Sequence, residues 1–268
     1  MIAFRLALAL LVCCAGPAVA LQLEGRPQQG ALLRGQVAPG ASVALDGRPL
    51  RVSPEGAFVF GFGRDHKPAA LLEVRHADGR LDRRELAVAQ RQYPVQRIDG
   101  LPERMVRPSE SDLRRIARER QLIGEARQVD SALPYFLQGF IWPAQGPVTG
   151  VYGSQRILNG EPRQPHFGVD IAAAEGTPVL AAADATVLLA EAELYFTGGT
   201  LVLDHGHGVS STYSHLSRLR VAAGQRVGKG EVVGEVGRTG RATGAHLDWR
   251  LNWFDERIDP ELVLPPRE

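Results

Sequence analysis

Cysteine is nearly absent: Cys13 and Cys14 are the only two, adjacent and close to the amino terminus. The rest of the chain can build neither a disulfide framework nor a cysteine-based metal site, so its stability has to come from packing. No apolar run reaches the roughly 20 residues that a membrane-spanning helix needs, so a permanent membrane anchor is not expected. The longest candidate, Leu6 to Val12, follows Arg5 and ends near Ala18-Val19-Ala20. That order of basic residue, short apolar run and small-residue ending is the pattern of a secretory signal peptide over residues 1–20, with cleavage after Ala20. Val12 and Cys13 stand where a lipid-modified cysteine would need a small residue before it, so lipidation is not expected. Charge of one sign is also missing. Without Arg5, 30 basic residues (31 − 1) face 30 acidic ones. A neutral chain of this kind has no electrostatic footprint for nucleic acid.

What the chain has is length, turn signals and β-type runs. Its 268 residues suit two modest domains better than one. After the leader, residues 21–100 alternate short apolar stretches with turn signals such as Asp46-Gly47, Pro54-Glu55-Gly56 and Asp78-Gly79. Strands over Ser42 to Leu45, Ala57 to Phe60 and Leu71 to Val74 are expected there, forming a small β-sandwich. His66 and His76 lie beside these turns and read as solvated surface histidines. Residues 101–135 read as a helical linker. Ser109 is a plausible N-cap with Asp112 in the first turn, and Leu113, Ile116 and Ile123 run along a charged, solvent-facing helix between Pro108 and Val129. From 136 to 268 glycine is dense and the apolar runs are short again: Thr186 to Ala190, Thr200 to Leu203, Val209 to Tyr213, Glu231 to Val236 and His246 to Leu251. The expected fold is therefore all-β, in two units joined by a helix.

Five of the seven histidines fall in the second unit: His166, His205, His207, His215 and His246. In HFGVDI, His166 and Asp170 are four apart, and on an extended strand that spacing puts both on one face. In AHLDWRL, His246 and Asp248 share a face by the same alternation, while Leu247 and Trp249 point the other way. His215, in STYSHLS, ends a strand before a turn. Imidazole and carboxylate from three distant segments are the donor set of a one-metal hydrolase, if a sheet brings them together.

Residues 140 to 260 resemble the LytM-type, or M23, metallopeptidase domain. The resemblance is carried in order by WPAQGPVTGVYGSQR, PHFGVDIAAAEGTPVLAAADATV, STYSHLS and GQRVGKGEVVGEVGRTGRATGAHLDW. It implies a strongly twisted, barrel-like sheet, one zinc ion, and hydrolysis of peptide bonds in peptidoglycan stems or cross-links, in the periplasm. His166 and Asp170 match the family's first two zinc ligands. His215 matches the histidine thought to position or deprotonate the attacking water, and His246 the histidine that stabilises the oxyanion. Asp248 stands where the family's HxH motif has its second histidine, the third zinc ligand. A carboxylate can bind zinc there, but two carboxylates neutralise the ion, and slower or more alkaline catalysis is expected. The resemblance also carries a second possibility: a LytM-like protein that binds and activates a cell-wall amidase without cutting. By the same resemblance Tyr152 belongs to the groove wall, and His205 and His207 have a structural or groove role. Asn159 and Arg163 either hydrogen-bond substrate or lie on a plain surface loop.

Overall fold

The computed structural model describes residues 21–101 and 103–267; the expected leader and its cleavage point lie outside the described residues. Among the described residues no helix is long and apolar enough to cross a membrane.

The amino-terminal part is the expected sandwich. Strands β1 (Gln22–Glu24), β2 (Leu32–Gln36), β3 (Ser42–Leu45), β4 (Arg48–Leu50), β5 (Ala57–Gly61), β6 (Ala69–Arg75) and β7 (Leu81–Ala87) form two antiparallel sheets, ordered β1-β2-β5 and β4-β3-β6-β7. Strand β6 shows why the alternation was readable: Ala70, Leu72 and Val74 are buried, while Leu71 and Glu73 are half-buried on the other face. These side chains share a core with Leu33, Phe58 and Phe60 of the first sheet. Strand β5 departs from alternation and is buried at all five positions. Phe58 and Phe60 stack with centroids 6.1 Å apart, and the opposite face meets the carboxy-terminal unit. At Gly61 a methyl group would lie 2.4 Å from Ile258 Cδ1, so glycine is what lets the two units close on each other. Arg91 and Asp259 form an ion pair at 2.8 Å across the same boundary.

Strand β8 (Val95–Ile98) follows, then a helical turn α1 (Glu103–Val106) and the long helix α2 (Glu110–Arg127). Ser109 caps α2 by accepting from the backbone N–H of Asp112 at 3.2 Å, an interaction worth about 1 kcal/mol. The helix is mostly exposed, as its charge pattern implies, yet it is docked. Ile116 is buried, Glu119 accepts from the backbone N–H of Tyr195 at 2.7 Å, and Arg115 donates to the Glu193 carbonyl.

The second unit contains β9 (Val148–Gly150), β10 (Gln155–Leu158), β11 (Glu161–Pro162), β12 (Val169–Ala172), β13 (Pro178–Leu180), β14 (Ala185–Leu194), β15 (Gly198–Gly206), β16 (Val209–Leu216), β17 (Arg218–Leu219), β18 (Arg226–Val227), β19 (Val232–Glu235), β20 (His246–Trp253) and β21 (Glu256–Ile258). Its main sheet runs β18-β14-β15-β16-β20-β12-β9 with β21 on β20, beside a small sheet β13-β19-β17. The central strands β15 and β16 are buried at every position. Tyr213 and Trp249 are fully buried and lie near each other and Phe140, each contributing roughly 1.5–3 kcal/mol of apolar burial. Strand β8 joins this unit from outside, pairing in parallel with β10 from Val95↔Gln155 to Ile98↔Leu158.

His205 belongs to this core. It is fully buried, its Nδ1 lies 2.9 Å from the Asp184 carbonyl and its Nε2 2.7 Å from Ser211 Oγ. Burial pushes its imidazole down to about 4 from 6.5. Between those values the unfolded chain takes up a proton that the native one refuses. Stability from this group is therefore complete above pH 6.5 and falls as pH drops toward 4, by about 3 kcal/mol in total. Urea unfolding across that range should give a smaller pH slope for His205→Asn than for the parent protein; identical slopes would contradict the assignment. His207 is also structural, its N–H donating to the Ser131 carbonyl at 2.9 Å and its ring lying 4.8 Å from Phe136.

Candidate functional site

Strand β20 sorts its residues by face. Leu247, Trp249, Leu251 and Trp253 are buried in the core, and the alternate residues His246, Asp248, Arg250 and Asn252 form a polar row on the other side. The neighbouring strands put their polar residues against that row. Asp170 on β12 sits directly opposite Asp248, and on β16 Ser214 pairs with Asp248 and Thr212 with Arg250. Gly150 on β9 lies opposite Asp170. A methyl group there would lie 2.1 Å from Asp170 Oδ2, so glycine clears the space the carboxylate occupies.

His166 completes the cluster from a different local structure than its spacing suggested. It precedes β12, outside any strand, and is held by backbone bonds, its N–H donating to the Ser154 carbonyl at 2.9 Å and its carbonyl accepting from Gly153 at 2.7 Å. Its Nε2 lies 3.0 Å from Asp170 Oδ1 and 3.5 Å from Asp248 Oδ1. Ligand atoms of His166, Asp170 and Asp248 all lie within 4.8 Å of one another, and all three residues are buried. Nδ1 of His166 has no partner, and Nε2 and Asp170 Oδ1 meet only each other and Asp248, without a hydrogen bond of normal geometry. Buried polar atoms without partners are costly, and a divalent ion is the kind of group that would satisfy an imidazole nitrogen and two carboxylate oxygens at one point. The residues present thus fit a zinc ion.

The other two histidines face the same groove. His215 and His246 have ring centroids 4.6 Å apart. His215 Nδ1 lies 2.8 Å from the Thr239 carbonyl and His246 Nδ1 2.9 Å from that of Gly244. A carbonyl only accepts, so in both rings Nδ1 carries a proton, which in a neutral ring leaves Nε2 as an acceptor. His246 Nε2 is 3.9 Å from Asp170 Oδ1. His215 has φ of 67°, a left-handed conformation unusual outside glycine. Burial, with His246 and Arg250 nearby, pushes the His215 imidazole down to about 4, so it is neutral at pH 7.

Two arginines, absent from the ligand pattern, complete the electrostatics. Arg156 donates from Nη2 to Asp170 Oδ2 at 2.8 Å. Arg250 grips Asp248 with Nε, 2.9 Å from Oδ1 and 3.2 Å from Oδ2, and with Nη2. Burial works to raise the Asp248 carboxyl, but Arg250 and then His166 hold it well below the usual carboxylate range. Asp170 is lowered too: burial and Asp248 oppose this, while His166 and Arg156 outweigh them. Burial works against charge on His166, yet the two carboxylates raise its imidazole. Arg250 was readable, since alternation puts it on the Asp248 face. Arg156 had no local signal.

The groove over this floor has a volume of about 320 Å³, lined by Asp170, His215 and His246 and walled on one side by Gln96, Ile98 and Leu101 from the segment before α2. Three expectations change. Tyr152 is not in the groove wall. It is buried, donates its hydroxyl to the Arg257 carbonyl at 2.6 Å, and lies 6.1 Å from the ring of Tyr93 in the chain that precedes β8. Asn159 bonds both the N–H and the carbonyl of Leu101, at 3.1 and 2.8 Å. Arg163 donates to the Val106 carbonyl at 3.0 Å. Both tie the linker to the β10–β11 hairpin. In the first unit His76 is ion-paired with Asp82 at 2.8 Å, and His66 lies 4.6 Å from Phe62.

A family model described as peptidase family M23 matches residues 164–260, which contain the whole histidine and carboxylate cluster. A crystal structure from Pseudomonas aeruginosa described as a peptidase M23 is 31% identical and superposes with a TM-score of 0.68, covering 89% of this chain and 95% of that one. A protein of the same organism named lipoprotein NlpD/LppB homolog is 35% identical over 129 residues, 48% of this chain and 41% of its own. The peptidoglycan DD-endopeptidase ShyA of Vibrio cholerae is 40% identical over 87 residues, 32% of this chain and 20% of its own. The chain spans less than half the length of these curated relatives.

Proposed function

Because the chain belongs to peptidase family M23, we propose that it is an exported, periplasmic, zinc-dependent endopeptidase that hydrolyses peptide bonds in peptidoglycan stem peptides or cross-links. The observation that carries this reading is the convergence of His166, Asp170 and Asp248, buried, with donor atoms within 4.8 Å and with His166 and Asp170 holding polar atoms that lack a normal hydrogen bond. A zinc ion held by these three would supply Lewis-acid polarisation of the scissile carbonyl and acidification of the attacking water. His215, neutral and with Nε2 free of its own proton, takes a proton from that water. That proton passes to the leaving amine nitrogen, and His246 faces the developing oxyanion, donating to it from Nε2 when the ring holds a proton on each nitrogen. Arg156 and Arg250 answer the charge problem raised by the second carboxylate. Each shares the charge of one carboxylate, which returns positive potential to a site that two bare aspartates would neutralise.

A second reading rests on the same arginines. Arg250 closes on Asp248 and Arg156 on Asp170, which gives each carboxylate a counter-ion without metal, and a relative is named NlpD/LppB homolog. Under that reading the protein binds and activates a cell-wall amidase. Elemental analysis of the purified chain together with release of soluble muropeptides from purified sacculi separates the two. One zinc per chain and release that EDTA stops and zinc restores is the expected result. No zinc and no release with zinc supplied, but faster cutting by an added amidase, would replace the first reading by the second.

A further inference from the structure

Helix α2, with its last residue Arg127, roofs a cavity of about 270 Å³ over the polar face of β16, β20 and β21, on which Thr212, Ser214, Arg250 and Arg257 lie; Arg241 also lines it. Thr212 is 4% exposed and Ser214 fully buried, and neither hydroxyl has a hydrogen-bond partner; the buried Nε of Arg127 has none either. Of the guanidiniums, Arg250 is taken up by Asp248, and Arg257 donates to the neutral Asn252 Oδ1 at 2.7 Å. Among the described residues Arg127 and Arg257 make no ion pair. Glu119 is the acidic residue on the lining, and it is already engaged by Arg115 at 2.6 Å and by the Tyr195 N–H at 2.7 Å.

We propose that this cavity binds a small oxyanion, a carboxylate or a phosphate. Donors dominate the polar part of the lining, guanidinium forks with the Thr212 and Ser214 hydroxyls, while Ile116, Ile123, Leu194 and Phe196 supply an apolar rim. An oxyanion is the group whose several lone pairs match that set, and bidentate guanidinium contacts suit a planar carboxylate or a face of phosphate. Without it, like charges face one another across a half-buried space and three buried polar atoms stay unsatisfied, each a cost that folding has no reason to retain. The size of the cavity and its helical roof restrict the ligand to a free ion or the end of a short chain. The site is separate from the metal cluster, since Arg250 points Nε and Nη2 at Asp248 and thereby divides the two.

Isothermal titration of the full mature chain with inorganic phosphate, with acetyl-D-alanyl-D-alanine and with the amide of that peptide, all at equal ionic strength against chloride, tests this. Binding of phosphate or of the free-acid peptide, one per chain, with the amide silent, is the expected result; which of the two binds identifies the source of the oxyanion. Arg127→Gln should weaken binding at least about tenfold, the loss of one charge-assisted hydrogen bond. Thr212→Val, which removes only a hydroxyl, should weaken it several-fold and serves if the arginine variant fails to fold. His166→Ala should bind as the parent does. Absence of binding above chloride overturns the proposal. So does binding that survives both cavity substitutions but disappears in His166→Ala, which would move the anion to the metal cluster.

Discussion

Replacing His166 by alanine is expected to remove zinc from the protein and to lower peptide hydrolysis at least a thousand-fold while leaving the fold in place. His166 is the single imidazole among the three converging residues, and its Nε2 stands 3.0 Å from one candidate ligand oxygen and 3.5 Å from another. Two carboxylates alone would leave a zinc ion with too few protein ligands for a stable site. Loss of the Lewis acid forfeits several kcal/mol of transition-state stabilisation, and about 1.4 kcal/mol is a factor of ten in rate, so three orders of magnitude is a lower bound. The fold should survive because Nδ1 of His166 has no partner and Nε2 meets only the two carboxylates, which keep Arg156 and Arg250 as partners when the imidazole goes. Elemental analysis and circular dichroism on the same preparation check both halves. Unchanged zinc content in a folded variant would remove His166 from the ligand set.

What the sequence could reveal of this site depended on how far each feature reaches along the chain. Alternation along β20 is local, and HLDWRL by itself puts His246, Asp248 and Arg250 on one face. The Ser109 cap and the strands over Ser42–Leu45 and Val209–Tyr213 were readable for the same reason. The position of His166 was reached through the wrong geometry. Its four-residue spacing from Asp170 implied a continuous strand, whereas backbone bonds to residues 153 and 154 hold it in an extended loop. Features set by contacts between distant segments were not legible. The Asp170↔Asp248 register joins strands 78 positions apart (248 − 170). The Arg156–Asp170 pair depends on where the β10–β11 hairpin folds over, and Tyr93 reaches Tyr152 from 59 positions earlier in the chain (152 − 93). The docking of α2 by Ile116, and the arginine-lined cavity beneath it, likewise have no expression in local periodicity.

Asp248→Ala should destabilise the protein by roughly 3 kcal/mol, and Arg250→Met should recover most of that loss when the two are combined. Asp248 is 1% exposed, and its carboxylate accepts both a side-on and an end-on donor from Arg250. Removing one partner of a buried ion pair leaves the other charged and unsolvated, typically at a cost of about 3–5 kcal/mol, whereas removing both is often close to neutral. Arg250 retains some exposure, 24% of its side chain, which places the cost at the lower end. Two features act against relief by water: Arg250 shares its cavity with Arg127, Arg241 and Arg257, and none of these can take over as counter-ion. The double-mutant cycle from urea unfolding should therefore return a coupling of about 2–3 kcal/mol. Metal content supplies an independent axis. Arg250→Met leaves the Asp248 carboxylate beside His166 and should keep zinc, while Asp248→Ala and the double variant should lose affinity for it. Additive stabilities would show that the pair is not coupled in solution. Zinc retained at parental affinity in Asp248→Ala would show that the carboxylate serves Arg250 and the fold, with a different group as the third ligand.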